Sequence, residues 1–140
     1  MTSKVDFYFV PLEIVDVVWE DVVGILEKAV ATAKGKFSVV DIYDRIMSQE
    51  YVLWVCTVDE KIVAAITTRL IAYPNSMAMA MDWIGGTKMK EWLPIAQDTL
   101  EKYGRFNKCS HLEGYGRKAW GRWLQKYGWE PDYIAYRMEL

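Results

Sequence analysis

Apolar residues recur at helical spacing from Val15 to Ala29, through Val18, Trp19, Val22 and Leu26. That spacing predicts an amphipathic helix with one buried stripe. Gly35 ends it. The run FYFVP before it (7–11) reads as a short first strand closed by Pro11. SVVDIYDRI opens with Ser38 and places Asp41 three residues on, the signature of a capping box, so a second helix is expected there. YVLWVCTV (51–58) is nearly all apolar and rich in β-formers, which predicts a buried strand. DEK turns the chain, and IVAAITTRLIAY (62–73) returns as its hairpin partner. After the turn PNS, MAMAMDWI (77–84) alternates Met with Ala until Asp82 and then runs into Gly85-Gly86. MKEWLPIAQDTLEKYG is helical, with Ala96, Leu100 and Tyr103 in register and Gly104 at the end. CSHLEGYG (109–116) is a strand ending in glycines. Trp120, Trp123, Leu124 and Tyr127 share one face of a last helix, with Gly128 as its C-cap. Tyr136, Met138 and Leu140 alternate along the tail, which predicts a final strand.

The predicted order is β-α-α-β-β-β-α-β-α-β, with no repeat and no linker. Residues 1–140 are therefore expected to form a single α+β domain. A chain that is 52% hydrophobic and 14% aromatic has ample material for a core. The formal charge of -2 conceals an asymmetry. Residues 1–30 hold two basic and six acidic side chains, whereas residues 101–126 hold seven basic and two acidic. The basic segment suits an anionic ligand, although the two halves facing one another would explain it equally. Cys56 and Cys109 are isolated and His111 is the one histidine, so neither a metal set nor a disulfide framework is expected. Both cysteines read as small buried hydrophobes in strands. No signal-peptide pattern and no membrane-length apolar run is present, which points to a cytoplasmic protein.

The stretch EGYGRKAWGRWLQKYGWEP (113–131) combines three tryptophans with four basic residues. Base stacking needs aromatics interleaved with cations on one exposed face. Here the helical spacing puts Trp120 and Trp123 on the core side and Arg117, Lys118, Arg122 and Lys126 on the other. A nucleic-acid platform is the minor reading.

The element order resembles the Gcn5-related N-acetyltransferase (GNAT) fold over essentially the whole chain. That family commonly reads Asn-x-x-Ala-x-x-Leu-Tyr-x-Lys-x-Gly-Phe at its fourth helix. In RKAWGRWLQKYGW, Gly128-Trp129 matches Gly-Phe, Lys126 the lysine and Trp123-Leu124 the Leu-Tyr pair. Trp120 falls on the alanine and Arg117 on the asparagine. More narrowly, the chain looks like small acetyltransferase-like proteins encoded by phages and prophages. The resemblance implies an α/β/α-layered domain around a mostly antiparallel twisted sheet of about six strands with about four helices. It implies an acyl-CoA-dependent N-acyltransferase using acetyl-CoA on an amine, a small molecule or a protein. The alternative is an inactive relative of phage origin with a structural, virion-associated or host-interaction role.

Acetyl-CoA carries a pyrophosphate, which favours backbone N–H groups at a helix N-terminus. Gly85, Gly86, Thr87 and Lys88 lie between a strand and a helix, and Arg117 adds charge; these are the expected cofactor contacts. The family's usual loop is Arg/Gln-x-x-Gly-x-Gly/Ala, and only GGTKMK stands here. Pro94 implies that the following helix kinks or starts near Lys90. Acyl transfer to an amine needs a base and an acid. The family's tyrosine position is Leu124 in this chain, which donates no proton. Glu113 and Tyr115, at the end of the penultimate strand, and Asp82, an acid in an apolar strand, are the candidate substitutes. His111 shares the strand face of Glu113 and otherwise reads as an ordinary strand residue.

Overall fold

Five strands hydrogen-bond in chain order: β1 (Val5–Phe9), β2 (Val52–Val58), β3 (Lys61–Tyr73), β4 (Ser76–Gly86) and β5 (His111–Gly114). The computed structural model describes residues 3–116 and 120–140. The first three junctions are antiparallel, and β4–β5 is parallel. Local turns explain the antiparallel ones. Asp59 and Glu60 both take positive φ, 50° and 70°, the two-residue turn whose twist matches that of its flanking strands. Pro74 and Asn75 close the next hairpin, with Tyr73 opposite Ser76. A parallel pair requires a crossover, and the helix α3 (Met89–Phe106) supplies it.

Two helices, α1 (Val15–Ala31) and α2 (Val39–Met47), cover one face of the sheet. Their stripe, including Val22, Leu26, Ile42 and Ile46, packs on Leu53, Val55, Ala65 and Trp83. The expected capping box holds α2. Ser38 N–H donates to Asp41 Oδ2 at 2.8 Å, and Asp41 N–H donates to Ser38 Oγ at 3.4 Å. On the other face, Trp92, Leu93, Ala96 and Leu100 of α3 pack on Trp54, Cys56, Ile66 and Met79. The result is the α/β/α layering expected from the sequence, with five strands rather than six.

Three expectations are corrected. The tail from Pro131 to Leu140 forms no strand and lies exposed. Its alternation defines two sides, but a strand also needs a partner edge. The tryptophan helix is short: α4 spans Gly121–Leu124, and a 3₁₀ turn follows over Gln125–Tyr127. None of its residues is fully buried, and Trp120 and Trp123 are only half-buried. Tyr127 and Trp129 make the core contact instead. Gln97 fixes them, donating to the Tyr127 carbonyl at 2.7 Å and accepting from Trp129 Nε1 at 2.9 Å. Cys56 is buried in β2 as expected, whereas Cys109 precedes β5 and is only partly covered. In line with the expected start near Lys90, α3 begins at Met89; Pro94 lies inside it and leaves the Lys90 carbonyl without its usual i+4 donor.

Candidate active site

The parallel ladder between β4 and β5 is short. It pairs Ala78 through Met81 with His111 through Gly114 and then stops, while β4 continues to Gly86. A bulge marks the parting: Met81 opposes Thr68 and Trp83 opposes Thr67, so Asp82 is the extra residue. Bulges re-aim a strand and its side chains. From Asp82 to Gly86, β4 is bonded to β3 on one side, and its other edge faces the gap left by β5.

Glu113 sits at the end of β5 beside this gap, with its side chain only 10% exposed. It accepts hydrogen bonds from Tyr73 Oη at 2.9 Å and from Tyr115 Oη at 2.8 Å, and its other oxygen lies 2.8 Å from His111 Nε2. His111 Nδ1 is in turn 2.8 Å from Ser110 Oγ. Burial pushes the Glu113 carboxyl up, but the three hydrogen bonds and the neighbouring imidazole together hold it below its ordinary value. Burial, and then the bond to Glu113, push the Tyr115 phenol well above the ordinary range. Tyr73 is raised chiefly by its own bond to Glu113. The cluster therefore contains an ionised carboxylate and two firmly protonated phenols at neutral pH.

Asp82 is not available as a free base. Arg69 grips it bidentately, Nε to Oδ2 at 2.9 Å and Nη2 to Oδ1 at 3.1 Å. The pair adjoins Tyr115, whose phenol feels the Asp82 charge. Asp82 thus belongs to the neighbourhood of Glu113 and Tyr115, where it braces the bulge. An open cleft of about 410 Å³ at the start of β2, lined by Glu50, Val52, Thr68, Arg69, Leu70 and Tyr103, meets the cluster only through Arg69.

The glycines expected in a loop are the last residues of β4. Each has a packing reason of its own. A Cβ on Gly85 would lie 2.9 Å from the Ile25 carbonyl oxygen on α1. One on Gly86 would lie 2.2 Å from the Val63 carbonyl oxygen on β3, and Gly86 has φ +127°. The Thr87 amide is spent on Val63 O at 2.9 Å, and the Thr87 carbonyl accepts Trp92 Nε1 at 2.7 Å. Thr87 is therefore not the cap. Lys88 occupies that position with φ 61°. The amides of Lys88, Met89 and Lys90 have no acceptor among the described residues, so the free amides at the start of α3 lie after the Gly85–Thr87 stretch that the sequence suggests. Arg117, the fifth expected contact, lies outside the described residues.

The start of α3 also meets α4. Lys90 Nζ and Lys126 Nζ lie 5.2 Å and 5.8 Å from the centre of the Trp123 ring. That ring is occupied by cations of its own chain, which does not favour a base-stacking platform. Among the described residues no cluster of His, Cys, Asp and Glu could hold a metal. No helix among them is long and apolar enough to cross a membrane.

No family model matches the sequence, and neither does any curated protein. Solved structures do match by shape. An aminoglycoside N-acetyltransferase in complex with CoA superposes with a TM-score of 0.73 at 12% identity, covering 100% of this chain and 98% of that one. The chain has the GNAT acetyltransferase fold. A ribosomal-protein-alanine N-acetyltransferase from Brucella melitensis biovar Abortus 2308 gives 0.69 at 16% identity, over 98% of this chain and 99% of the other. A transcriptional regulator from Bacillus halodurans C-125 gives 0.71 at 14% identity, over 98% and 100%. At such identities the likeness establishes the fold alone, and a fold does not fix an activity.

The structure brings Glu113 and Tyr115 together and sets Asp82 beside them. It adds His111, Tyr73 and Arg69, of which only His111 carried a sequence signal, its position two residues before Glu113. Tyr73 and Arg69 reach the site through strand pairing, which no local pattern displays.

Proposed function

We propose that the protein is an acyl-CoA-dependent N-acetyltransferase that transfers an acetyl group from acetyl-CoA to an amine. One observation carries this reading: the gap between β4 and β5 joins an unpaired strand edge, a helix N-terminus with unspent amides, and the Glu113 cluster. The residues fit the cofactor. The free β4 edge from Asp82 to Gly86 offers backbone groups to the amides of a pantetheine arm. The Lys88–Lys90 amides, with the Lys88 and Lys90 side chains, suit a pyrophosphate. Bound acetyl-CoA supplies the activated acetyl group as a thioester.

The chain's own contribution is proton handling. An amine attacks only when neutral, so its proton needs an acceptor. Glu113 alone is a weak base because three donors stabilise its charge. The His111–Glu113 pair acts as the unit, with the carboxylate orienting the imidazole and balancing the charge it gains. Tyr115, kept protonated, is the donor nearest that pair and replaces the hydroxyl missing at Leu124. Asp82 positions Tyr115 and the bulge through Arg69.

Release of free thiol from acetyl-CoA, followed across a panel of small amines, polyamines and N-terminal peptides, tests the reading. Amine-dependent release is expected, falling about 10²-fold or more in Glu113→Gln. A Glu113→Gln protein that turns over at the wild-type rate would remove Glu113 from the chemistry. The inactive relative considered above predicts no amine-dependent release at all.

A further inference from the structure

β3 outruns one of its neighbours. β2 begins at Val52, opposite Thr68, whereas β3 continues from Arg69 to Tyr73 with only β4 beside it. The ladder fixes where the backbone groups of this overhang point. Val10 N–H donates to Leu53 O, so Leu53 turns its backbone groups to β1, while Val52 and Trp54 turn theirs to β3. The groups of Thr68 therefore meet Val52, and those of Leu70 and Ala72 leave β3 on the same side. Glu50 is next in line for Leu70 but makes no such bond. Gln49 takes φ 68°, and the Tyr51 amide donates back to the Arg45 carbonyl on α2. On the β2 side Leu70 and Ala72 have no backbone partner among the described residues, and both are exposed.

The Leu70 groups open into the cleft of about 410 Å³. Those of Ala72 continue the row about 7 Å further along the strand. Val52, Leu70 and Tyr103 give the cleft an apolar side, with Tyr103 edge-on to Trp54 at 5.1 Å. Its exposed charge is acidic. The Arg69 guanidinium is committed to Asp82, whereas Glu50 is half-exposed and meets only Arg45, at 3.5 Å. We propose that the cleft docks an extended segment of a partner polypeptide, which adds as a short strand beside Leu70 and Ala72 in the line that β2 leaves empty.

The spacing selects this class of ligand. Donor–acceptor pairs repeating every second residue match an extended backbone. An apolar residue opposite Leu70 shares its face and reaches Val52 and Tyr103. Glu50 pairs with Arg45 of α2, so it stands on the other side of the sheet, where a neighbouring lysine or arginine points. The same overhang carries Arg69 and Tyr73, which hold Asp82 and Glu113. A seated segment braces both. The binding itself is independent of acetyl transfer.

The test uses the whole chain without cofactor and a fluorescent eight-residue peptide of alternating valine and lysine, blocked at both ends. Anisotropy should saturate below about 1 mM, and the Leu70 and Ala72 amides should become protected from hydrogen exchange. The same peptide N-methylated at its valines keeps its side chains but loses its ladder donors, and should bind at least tenfold more weakly. Leu70→Pro removes an outward-facing N–H, a position where a strand tolerates proline, and should weaken binding at least tenfold with an unchanged circular dichroism spectrum. The N-methylated peptide carries the test if that variant fails to fold. Four results would each overturn the proposal. They are no saturation at about 1 mM, equal binding of the N-methylated peptide, equal binding of a valine–glutamate peptide, and protection that appears along β1 or β5 instead of at Leu70 and Ala72.

Discussion

Replacing Gly86 with alanine tests whether this glycine serves the fold or only a ligand. The added Cβ would lie 2.2 Å from Val63 O, 2.5 Å from Ala64 Cα and 2.6 Å from Ala64 Cβ. These are backbone-anchored atoms in the neighbouring strand, so no side-chain rotation relieves the clash. Val63 O also accepts the Thr87 amide, so displacing it loosens the entry to α3. Holding a non-glycine residue in such a backbone region costs about 1–3 kcal/mol, and forcing a methyl into filled space about 1–3 more. One strand shift relieves part of both, which leaves about 3–5 kcal/mol, a large share of the stability of an ordinary domain. Gly85→Ala meets only Ile25 O at 2.9 Å and Ile25 Cγ2 at 3.0 Å, and should cost about 1–2 kcal/mol. Gly24, exposed on α1, has nothing within 4 Å of its would-be Cβ, and Gly24→Ala should stabilise by about 0.5–1 kcal/mol. Urea unfolding followed at 222 nm reads all three. Gly86→Ala with wild-type stability, or three variants that unfold together, would refute the packing argument.

Other outcomes follow from single contacts. Gln97→Ala removes both bonds that hold Tyr127 and Trp129, and should cost about 1–3 kcal/mol in denaturant melts; no loss would mean that the segment after α4 is not anchored there. Burial pushes the Cys56 thiol up to about 12, so thiol reagents should label Cys109 in the native protein long before Cys56; equal rates would contradict the placement of β2. Glu113 is held below its ordinary value of 4.5. Its stabilising contribution is complete above that value and is lost as pH falls through the lower folded value. Glu113→Gln should flatten that part of the acid-stability profile, and an unchanged profile would mean that its three hydrogen bonds do not favour the ionised form.

Legibility in the sequence followed the range of the interactions. The capping box of Ser38 and Asp41 and the stripe of α1 are local, and both were readable from spacing alone. The neighbouring of β4 and β5 followed from the element order rather than from any motif. The Trp120–Tyr127 stripe misled because α4 is too short to present a full face, and its partner contacts run through Gln97 and Trp129 instead. Asp82 looked like a free acid in an apolar strand because Arg69, its partner, stands on the adjacent strand. Gly85 and Gly86 looked like a ligand loop because a sequence shows that a side chain is missing, not which neighbour fills its place.

Calorimetric titration with acetyl-CoA addresses the central claim, that the gap between β4 and β5 leading to the start of α3 is a cofactor cleft. Saturable binding is expected, weakened about ten- to hundred-fold in Lys88→Ala by loss of one charge-assisted contact. In Glu113→Gln, which leaves the α3 terminus untouched, the affinity should stay within about threefold of wild type. No heat of binding at about 1 mM cofactor, from a protein that is folded by circular dichroism, would contradict the account.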